Sequence, residues 1–369
     1  MKVAIIHDYI NEYGGAERVL KELSNLFPDA PIYTAFKVAY STADKEFRGK
    51  KIIESFLAPI LKIGKLYSPL RFLAPVIWGS FDLSKYDLVV ASASWYITKG
   101  FKVGEKTKVI VYCHTPPRWL YGYETSVGFT KYWPVKIYAK IVGHFMRKFD
   151  FKSAQKVDYF IANSQEVAQR ISRFYHRDST VINPPIDVQE IIKQTKNIQK
   201  ENFYLIVSRL VGAKGILEAV NIFGNFGINL KIVGEAHGFS DVKEKLKNSK
   251  GNVEMLGFVS DEEKFILMAK AKAFVALAKN EDFGMTVVES QAAGTPVIAF
   301  NGGGFKETIV DGVTGVFINE INKDELNSAI KKIERTKWNK NKIIENSMRF
   351  SKERFKKEML EFVNKHANK

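Results

Sequence analysis

Residues 3–27 decide the fold of this chain, and they read VAIIHDYINEYGGAERVLKELSNLF. The run Val3–His7 has the length and the near-continuous apolar character of a strand that is buried on both faces. A glycine pair, Gly14-Gly15, precedes an amphipathic stretch over residues 16–27, which we expect to be a helix. A buried strand, a glycine turn and a helix make the first half of a βαβ unit, so the chain begins as an α/β protein.

The same alternation continues along the chain and restarts once near its middle. Asn183-Pro184-Pro185 ends the first series, and the polar residues 189–202 suggest a linker with a short helix. Strands are predicted at 87–91, 108–113, 158–162 and 180–182, and then at 203–208, 229–233, 253–255, 273–276, 297–299 and 315–318. Helices are predicted to begin near residues 215, 240, 261, 284 and 323, and residues 341–369 are predicted to be helical and highly charged.

We therefore expect an α/β fold of two Rossmann-like domains, whose parallel sheets face each other across a cleft. The predicted domains are residues 1–185 and 186–345, and residues 346–369 are expected to form a helix that packs back on the first domain. The 369 residues fit two domains at about 150 residues each. Ligands of such sheets bind beyond the carboxyl ends of the strands.

Composition excludes several classes of protein. With 46% hydrophobic and 26% charged residues, the chain is neither disordered nor collagen-like, and its single cysteine, Cys113, excludes an internal disulfide. The apolar start ends at His7, too early for a secretory signal, and residues 56–78 are too interrupted by cations and prolines to span a membrane. We expect a cytoplasmic protein, either soluble or bound peripherally at the inner face of the cytoplasmic membrane.

The net charge of +16 favours acidic partners. Residues 45–71 contain seven Lys or Arg against two Glu, and residues 131–156 contain seven against Asp150 alone. Both clusters are interleaved with large apolar residues, as on surfaces that bind anionic lipid. A solvated basic face explains the same counts equally well. Nucleic-acid binding has no motif to support it.

Charged and glycine residues follow several of the predicted strands. Arg209 and Lys214 bracket a strand-to-helix turn, where two cations suit a diphosphate. Glu281 lies in a later loop, and Glu289 lies eight residues on, in the following helix, where paired carboxylates can accept hydrogen bonds from sugar or ribose hydroxyls. Near Gly284 the start of that helix offers N–H groups to an anion. Capping acids and solvated cations are the alternative for all of these residues.

Two further features lie at predicted strand ends. His114 follows the strand 108–113, and its neighbour Cys113 points to the opposite face, so the two are not a nucleophile and its base. The glycines of Asn301-Gly302-Gly303-Gly304 permit close contact between backbone and ligand, or else a flexible loop. There is no Walker A, HExxH or Asp-x-Asp motif and no cysteine cluster, so neither a metal site nor a resident cofactor is expected.

The chain resembles the family-4 retaining glycosyltransferases of the GT-B fold over most of its length. The segment Cys113-His114-Thr115-Pro116-Pro117-Arg118-Trp119-Leu120-Tyr121 is similar to bacterial mannosyltransferases of O-antigen and exopolysaccharide assembly. The motifs that carry the resemblance occur in the family's order: Gly14-Gly15-Ala16-Glu17-Arg18, His114-Thr115-Pro116, Ser208-Arg209-Leu210 with Lys214-Gly215, Glu281-x7-Glu289, Gly302-Gly303, and Asp311-Gly312-Val313-Thr314-Gly315.

The resemblance implies a role for each matched residue. The residues implied in catalysis are Arg209 and Lys214 at the diphosphate, Glu281 at the hexose, and His114 at the hexose from the other domain. Donor-binding roles fall on Gly14 and Gly15 at the diphosphate, Phe258 near the base, Phe283, Gly284 and Met285 at the hexose, and Glu289 at the ribose. Asp8 and Tyr9 are implied on the acceptor side.

The implied reaction is retaining transfer of a hexose from a nucleotide sugar, with GDP-mannose favoured over UDP-hexoses, to a glycan or a polyprenyl-diphosphate-linked saccharide. Fixed cations stabilise the departing diphosphate without a metal. In the family's favoured mechanism the leaving phosphate oxygen takes the acceptor proton. The competing classes are another GT-B enzyme, such as an epimerase or a phosphorylase, and a nucleotide-sugar-binding protein without catalysis.

Overall fold

The computed structural model describes residues 1–123, 133–235 and 251–367, and these form two compact units. The first unit contains residues 1–123, 133–185 and 353–367, and the second contains 186–235 and 251–352. Each unit is built on one parallel sheet with helices on its faces, as the sequence predicted. The α/β class with two Rossmann-like domains is therefore confirmed.

The first unit has a seven-stranded sheet in the order β3-β2-β1-β4-β5-β6-β7, in which every pairing is parallel. Its interior strands are almost wholly buried, because helices cover both faces. The strands are β1 (Val3–His7), β2 (Ile32–Thr34), β3 (Ile52–Glu54), β4 (Leu88–Ala93), β5 (Lys108–Cys113), β6 (Tyr159–Ala162) and β7 (Thr180–Val181).

The helices of the first unit follow the strands, and their starts are set by capping residues. The hydroxyl of Ser164, for example, accepts a hydrogen bond from the N–H of Val167 at the start of the sixth helix. The helices are α1 (Gly15–Leu26), α2 (Thr42–Glu46), α3 (Ala58–Leu61), α4 (Ala74–Gly79), α5 (Trp133–Ala154) and α6 (Gln165–Tyr175), with 3₁₀ turns at Ile63–Lys65, Pro69–Leu73 and Arg118–Leu120.

The second unit has a six-stranded parallel sheet in the order β10-β9-β8-β11-β12-β13. Its strands are β8 (Tyr204–Val207), β9 (Leu230–Val233), β10 (Val253–Gly257), β11 (Ala273–Ala276), β12 (Val297–Phe300) and β13 (Gly315–Ile318). Its helices are α7 (Val188–Gln194), α8 (Ile216–Phe226), α9 (Asp261–Lys270), α10 (Met285–Ala292), α11 (Phe305–Thr308), α12 (Lys323–Arg335) and α13 (Lys340–Met348), with a 3₁₀ turn at Gly212–Lys214.

The last helix, α14 (Lys352–Ala367), belongs to the first unit from residue 353 onward. Its buried residues Phe355, Met359, Phe362 and Val363 join the core between β1, β4, β5 and α1. The guanidinium Nη2 of Arg354 donates a hydrogen bond to the backbone oxygen of Asn183, which fixes the helix start to the end of the first series of strands. The apolar spacing of four and three residues explains why this face is buried.

The structure corrects the sequence prediction in three places. Strands β2 and β3 were not predicted, and each is only three residues long. Residues 341–369 are not one helix, because residues 349–351 separate α13 from α14. Strands β4 and β10 each extend two residues beyond the predicted end, to Ala93 and to Gly257. The helix predicted near residue 240 lies outside the described residues.

Candidate active site

The loops that follow β8, β9, β10, β11 and β12 meet at one edge of the second sheet and form a continuous rim. Backbone hydrogen bonds join neighbouring loops, from Leu210 N to Glu235 O at 3.0 Å and from Gly234 N to Gly257 O at 2.8 Å. Another bond runs from Gly304 N to Glu281 O at 2.9 Å. This edge holds the carboxyl ends of the strands, which is where parallel sheets of this type bind ligands. We call it the donor rim.

Lys214 and Glu281 form an ion pair at the centre of the donor rim. Lys214 Nζ lies 2.6 Å from Glu281 Oε2, and the two side chains are 23% and 18% exposed. Lys214 ends a 3₁₀ turn after β8, and Glu281 lies in the loop between β11 and α10. The sequence placed both residues at strand ends but did not show that they touch. Arg209, also at the end of β8, is exposed.

A glycine makes the approach of these two loops possible. Gly215 adopts φ +67°, and a Cβ there would lie 2.8 Å from Leu277 Cβ. Any larger residue would therefore be strained in its backbone and would push the loop after β11 away. Lys214 lies directly before this contact, so the glycine fixes the distance between the cation and Glu281.

Glu289 is buried on α10 and is paired with a residue that sequence analysis missed. Lys264 Nζ, on α9, lies 2.9 Å from Glu289 Oε2 and 2.9 Å from Asp261 Oδ1. A buried carboxylate needs a partner, and Lys264 supplies it. The only sequence signal for Lys264 was its place just after the Ser260–Glu263 capping box, which fixes the first turn of α9.

The glycines after β12 pack against the loop that carries Glu281. A Cβ on Gly303 would lie 2.4 Å from Glu281 O, and one on Gly304 would lie 2.5 Å from Phe283 Cα. The sequence suggested contact with a ligand or a flexible loop, whereas the structure shows that these glycines are required by contact between two loops. They therefore hold the backbone of Glu281 in place.

The other residues predicted to bind the donor differ in their exposure and backbone conformation; they are Phe258, Phe283, Gly284 and Met285. The ring of Phe283 is buried and packs against Phe350, with centroids 5.3 Å apart, so only its backbone remains for a sugar. Gly284 caps α10 with φ +92°, which L-residues rarely adopt. Met285 is half-buried against the core, and Phe258 is largely exposed after β10.

His114 lies at the equivalent edge of the first sheet, directly after β5. Its Nε2 lies 2.8 Å from Ser92 Oγ, and Ser92 Oγ lies 2.9 Å from His7 Nδ1. All three side chains are buried. His7 Nε2 faces Glu17 Oε1 at 3.6 Å. The sequence singled out His114 and named Glu17 as part of the glycine motif, but it gave neither Ser92 nor a link to His7.

Asp8 is buried and Tyr9 is half-buried, and both are held by protein partners. The carboxylate of Asp8 is buried and accepts hydrogen bonds from the N–H groups of Ser94 and Tyr96 and from the hydroxyl of Thr98. Burial raises the pKa of Asp8 above its ordinary value. Tyr9 is stacked on Phe36 at 5.1 Å. Both residues are thus tied into the core of the first unit.

The glycine turn after β1 caps its own helix. Gly14 N lies 3.0 Å from Glu17 Oε2 and 2.9 Å from Glu12 O, so this N–H is already used within the turn. Gly14 has an ordinary extended backbone, with φ −101°, and Gly15 is exposed. The turn therefore presents the start of α1, but the N–H of Gly14 is satisfied by Glu12 and Glu17.

Within the described ranges, no group of three or more His, Cys, Asp or Glu side chains is arranged to hold a metal ion. In the same part of the chain no helix combines the length and the apolarity that crossing a bilayer requires.

Two matches to family models agree with this geometry. Residues 13–190 match the model described as Glycosyltransferase Family 4, and residues 187–350 match the model described as Glycosyl transferases group 1. With two Rossmann-like domains and the donor rim, the protein is an enzyme of the glycosyltransferase class. More particularly, the chain belongs to the glycosyltransferases that join a family 4 domain to a group 1 domain.

Curated relatives include enzymes named as mannosyltransferases. The α-1,3/1,6-mannosyltransferase ALG2 of Dictyostelium discoideum is 26% identical over 283 residues, which is 67% of each chain. The O-antigen chain mannosyltransferase RfbU of Salmonella typhimurium is 27% identical over 218 residues, or 55% of this chain and 58% of RfbU. An uncharacterized glycosyltransferase of Methanocaldococcus jannaschii is 30% identical over 152 residues, and this chain spans 43% of its length.

Solved structures share the fold. HepE of Anabaena, in complex with UDP-glucose, matches with a TM-score of 0.69 and 19% identity over 99% of this chain and all of HepE. Sucrose-phosphate synthase of Thermosynechococcus elongatus matches with a TM-score of 0.71 and 16% identity over 99% of both chains. Both likenesses extend over nearly the whole of each chain, so the predicted GT-B fold is confirmed.

Proposed function

We propose that this glycosyltransferase moves a hexose, with retention of anomeric configuration, from a nucleoside-diphosphate sugar to a glycan or lipid-linked saccharide, and that the donor is GDP-mannose. The observation that carries the proposal is the Lys214–Glu281 pair at the centre of the donor rim, on the segment between β8 and α8 that also carries Arg209. A cation and a carboxylate side by side suit a ligand that has a diphosphate next to a sugar.

The cations would act on the leaving group. Cleavage of the bond between the sugar and the diphosphate builds negative charge on the phosphate oxygens. Lys214 is fixed by Glu281 and Gly215, so it is already in place when this charge develops. Arg209 is exposed at the same strand end and offers two donors to phosphate oxygens. The phosphate oxygen freed in this step accepts the proton of the acceptor hydroxyl, so no protein base is required.

The carboxylates would hold the two sugar rings. Glu281 accepts hydrogen bonds from hexose hydroxyls while its other side faces Lys214. Glu289 accepts hydrogen bonds from ribose hydroxyls, and Lys264 fixes its orientation from α9. The exposed Phe258 and its neighbours after β10 lie where the base would bind. His114 would contact the hexose from the first unit.

Two nucleotide sugars are candidates for the donor. The relatives named as mannosyltransferases favour GDP-mannose, whereas the complex of HepE with UDP-glucose favours a UDP-hexose. The two are separated by measuring thermal shifts and donor hydrolysis with GDP-mannose, GDP, UDP-glucose and UDP. Stabilisation by GDP compounds alone supports the proposal, and stabilisation by UDP compounds alone contradicts the choice of donor. No response to either nucleotide contradicts the site.

The exposed face of α5 supports a lipid-linked acceptor. Trp133, Ile137, Ile141 and Phe145 recur every fourth residue, and each is at least half exposed. The cations of the same face are also exposed and also recur every fourth residue; they are Lys136, Lys140, Lys148 and Lys152, with His144 in the same row. A helix with mixed large apolar and basic residues lies flat in an anionic interface.

The acidic residues of this region do not offset that charge. Asp150 is the one acidic residue in 133–154, and it is buried in an ion pair with Lys99 at 2.7 Å. By contrast, the first basic cluster is partly neutralised, because Lys62 lies 2.7 Å from Glu54. We therefore propose that α5 binds the anionic inner face of the cytoplasmic membrane and brings the enzyme to a lipid-linked acceptor.

Co-sedimentation with vesicles tests this surface. The natural chain should bind vesicles that contain anionic lipid. The Ile141→Ser/Phe145→Ser variant should lose this binding. Vesicle binding by the Lys140→Gln/Lys148→Gln variant should depend less on salt concentration. A matched control is Lys357→Gln/Leu360→Ser on α14, where both side chains are also exposed. Equal binding to neutral and anionic vesicles, or equal loss in the control, would remove α5 from the acceptor side.

A further inference from the structure

Three neighbouring strands of the first sheet end in polar side chains on the same face. In the parallel register His7 is opposite Ser92, and Ser92 is opposite Tyr112. Side chains alternate along a strand, so His114, two residues after Tyr112, returns to that face. The apolar residues before them on this face belong to the buried core. The polar row therefore begins where the core ends, at the carboxyl edge.

The row is joined by short contacts in a dry environment. Ser92 is fully buried, His7 is almost fully buried, and His114 lies against the ring of Tyr112 with centroids 5.2 Å apart. Ser92 Oγ lies within hydrogen-bond distance of one nitrogen from each histidine, at 2.9 Å and 2.8 Å. Buried hydrogen bonds of this kind are stronger than exposed ones, and leaving one partner unpaired is costly.

Glu17 sets the direction of the two hydrogen bonds. Its Oε1 faces Nε2 of His7 at 3.6 Å, and a carboxylate there favours a proton on that nitrogen. When the ring of His7 carries one proton and that proton is on Nε2, Nδ1 accepts the one hydroxyl proton of Ser92. Ser92 Oγ in turn accepts a proton from Nε2 of His114. The neutral ring of His114 is thus held with its proton on Nε2.

We propose that His7 and Ser92 are positioning residues that fix the tautomer and ring orientation of His114, and that Glu17 determines the direction of this relay. The proposal rests on the proposed function, in which His114 meets the hexose. A fixed tautomer gives His114 one defined hydrogen-bonding pattern at the hexose instead of a mixture of two. No covalent step is involved.

Ser92 is not a nucleophile, although Glu17, His7 and Ser92 follow the order of a catalytic triad. Its side chain is fully buried, and its oxygen lies between two histidines, so no substrate carbon reaches it. The arrangement instead resembles the support that a ligating histidine receives from its neighbours, where a partner on one nitrogen fixes the state of the other.

Nitrogen NMR of the histidine rings tests the relay without any substrate. We would record long-range ¹⁵N–¹H correlations on the full chain and identify the rings of His114 and His7 from their loss in His114→Gln and His7→Gln. The expected spectrum shows His114 with its proton on Nε2, and Ser92→Ala should convert it to a mixture of tautomers. A proton on Nδ1 of His114 in the natural chain, or no change in Ser92→Ala, would overturn the relay.

Transfer kinetics then separate positioning from folding. Ser92→Ala and His7→Gln should each lower kcat/KM about five- to tenfold, as expected for one lost buried hydrogen bond. The double variant should be no worse than either single variant, because both break one relay. Ser24→Ala, which removes a buried serine hydroxyl that donates only to the backbone oxygen of Lys21, is the matched control and should be unchanged.

The two proposals fail in different ways. If the NMR shows the relay but His114→Gln leaves transfer unchanged, the role of His114 at the hexose is wrong, and with it the proposed use of the relay. If His114→Gln abolishes transfer but Ser92→Ala, His7→Gln and Ser24→Ala are all normal, the function stands and the relay is refuted. Ser92→Thr, which keeps the hydroxyl, should restore the tautomer.

Discussion

Replacing Glu281 with Gln should have opposite effects on the affinity for the free nucleotide and on the rate of sugar transfer. The substitution removes the charge that pairs with Lys214 while keeping nearly the same shape. In this variant Lys214 can bind a nucleoside diphosphate without first breaking its ion pair with Glu281. The hexose, however, loses a charged hydrogen-bond acceptor. We expect tighter binding of the free nucleotide and slower transfer in the same variant.

The structure gives the magnitudes. The two charged atoms lie 2.6 Å apart, and each side chain is less than a quarter exposed, so the pair is only partly screened by water. A hydrogen bond between charged groups at such a site contributes about 1.5–3 kcal/mol. Part of this is regained from the phosphate, so we expect binding of free GDP to tighten by roughly 1 kcal/mol, or about fivefold. Loss of a preorganised contact to the hexose should slow turnover about a hundredfold.

Calorimetric titration with GDP and single-turnover transfer from GDP-mannose measure the two effects. Lys214→Ala is the matched comparison, because it removes the other half of the pair and should weaken both binding and transfer. If Glu281→Gln weakens GDP binding as much as it slows transfer, the pair does not restrain Lys214. If both stay normal, Glu281 lies outside the site.

Four other changes test the remaining contacts. Lys264→Met leaves the carboxylate of Glu289 buried without its cation, so the free energy of unfolding should fall by about 3 kcal/mol in urea titration; no loss would mean that Glu289 is otherwise satisfied. Glu289→Ala should reduce transfer at least about a hundredfold in initial-rate assays, and a near-normal rate contradicts its role at the ribose. Gly303→Ala forces a Cβ to 2.4 Å from a backbone oxygen and should lower the melting temperature by several degrees, whereas Gly251→Ala, whose Cβ has no atom of the described residues within 4 Å, should not. Burial raises the pKa of Asp8, so the native state binds this proton more tightly than the unfolded state, and stability is lost as pH rises through the native pKa. The stability of the natural chain relative to Asp8→Asn should thus fall as the pH rises above about 4, the ordinary pKa of an aspartate, in denaturant unfolding, and a difference that stays constant with pH would refute the shift.

Much of the fold was predictable from the residues alone. Each long strand is an apolar run, and the loops that follow β8 and β11 carry the charged residues that form the donor rim. The short strands β2 and β3 were not predictable, because three residues carry no periodic pattern. Their pairing comes from the sheet that they extend, not from their own sequence.

Within the site, the sequence did not show which side chains contact each other. Glu289 and Lys264 are 25 positions apart, and no spacing rule connects two helices that meet only in the folded state. The glycines after β12 were recognised as sites of close approach, but whether the approaching atoms belong to a ligand or to another loop is decided by tertiary contacts. The same holds for Ser92, a small residue at the end of a buried strand.

The path of α14 has a consequence for biosynthesis. Phe355, Met359, Phe362 and Val363 complete the core beside β1, although about 170 residues of the second unit are translated in between. A ribosome that has released residues 1–185 has therefore made a domain with an uncovered apolar surface. This domain has to wait for the last residues of the chain before it closes, so truncation of the final helix damages the part of the protein that was synthesised first.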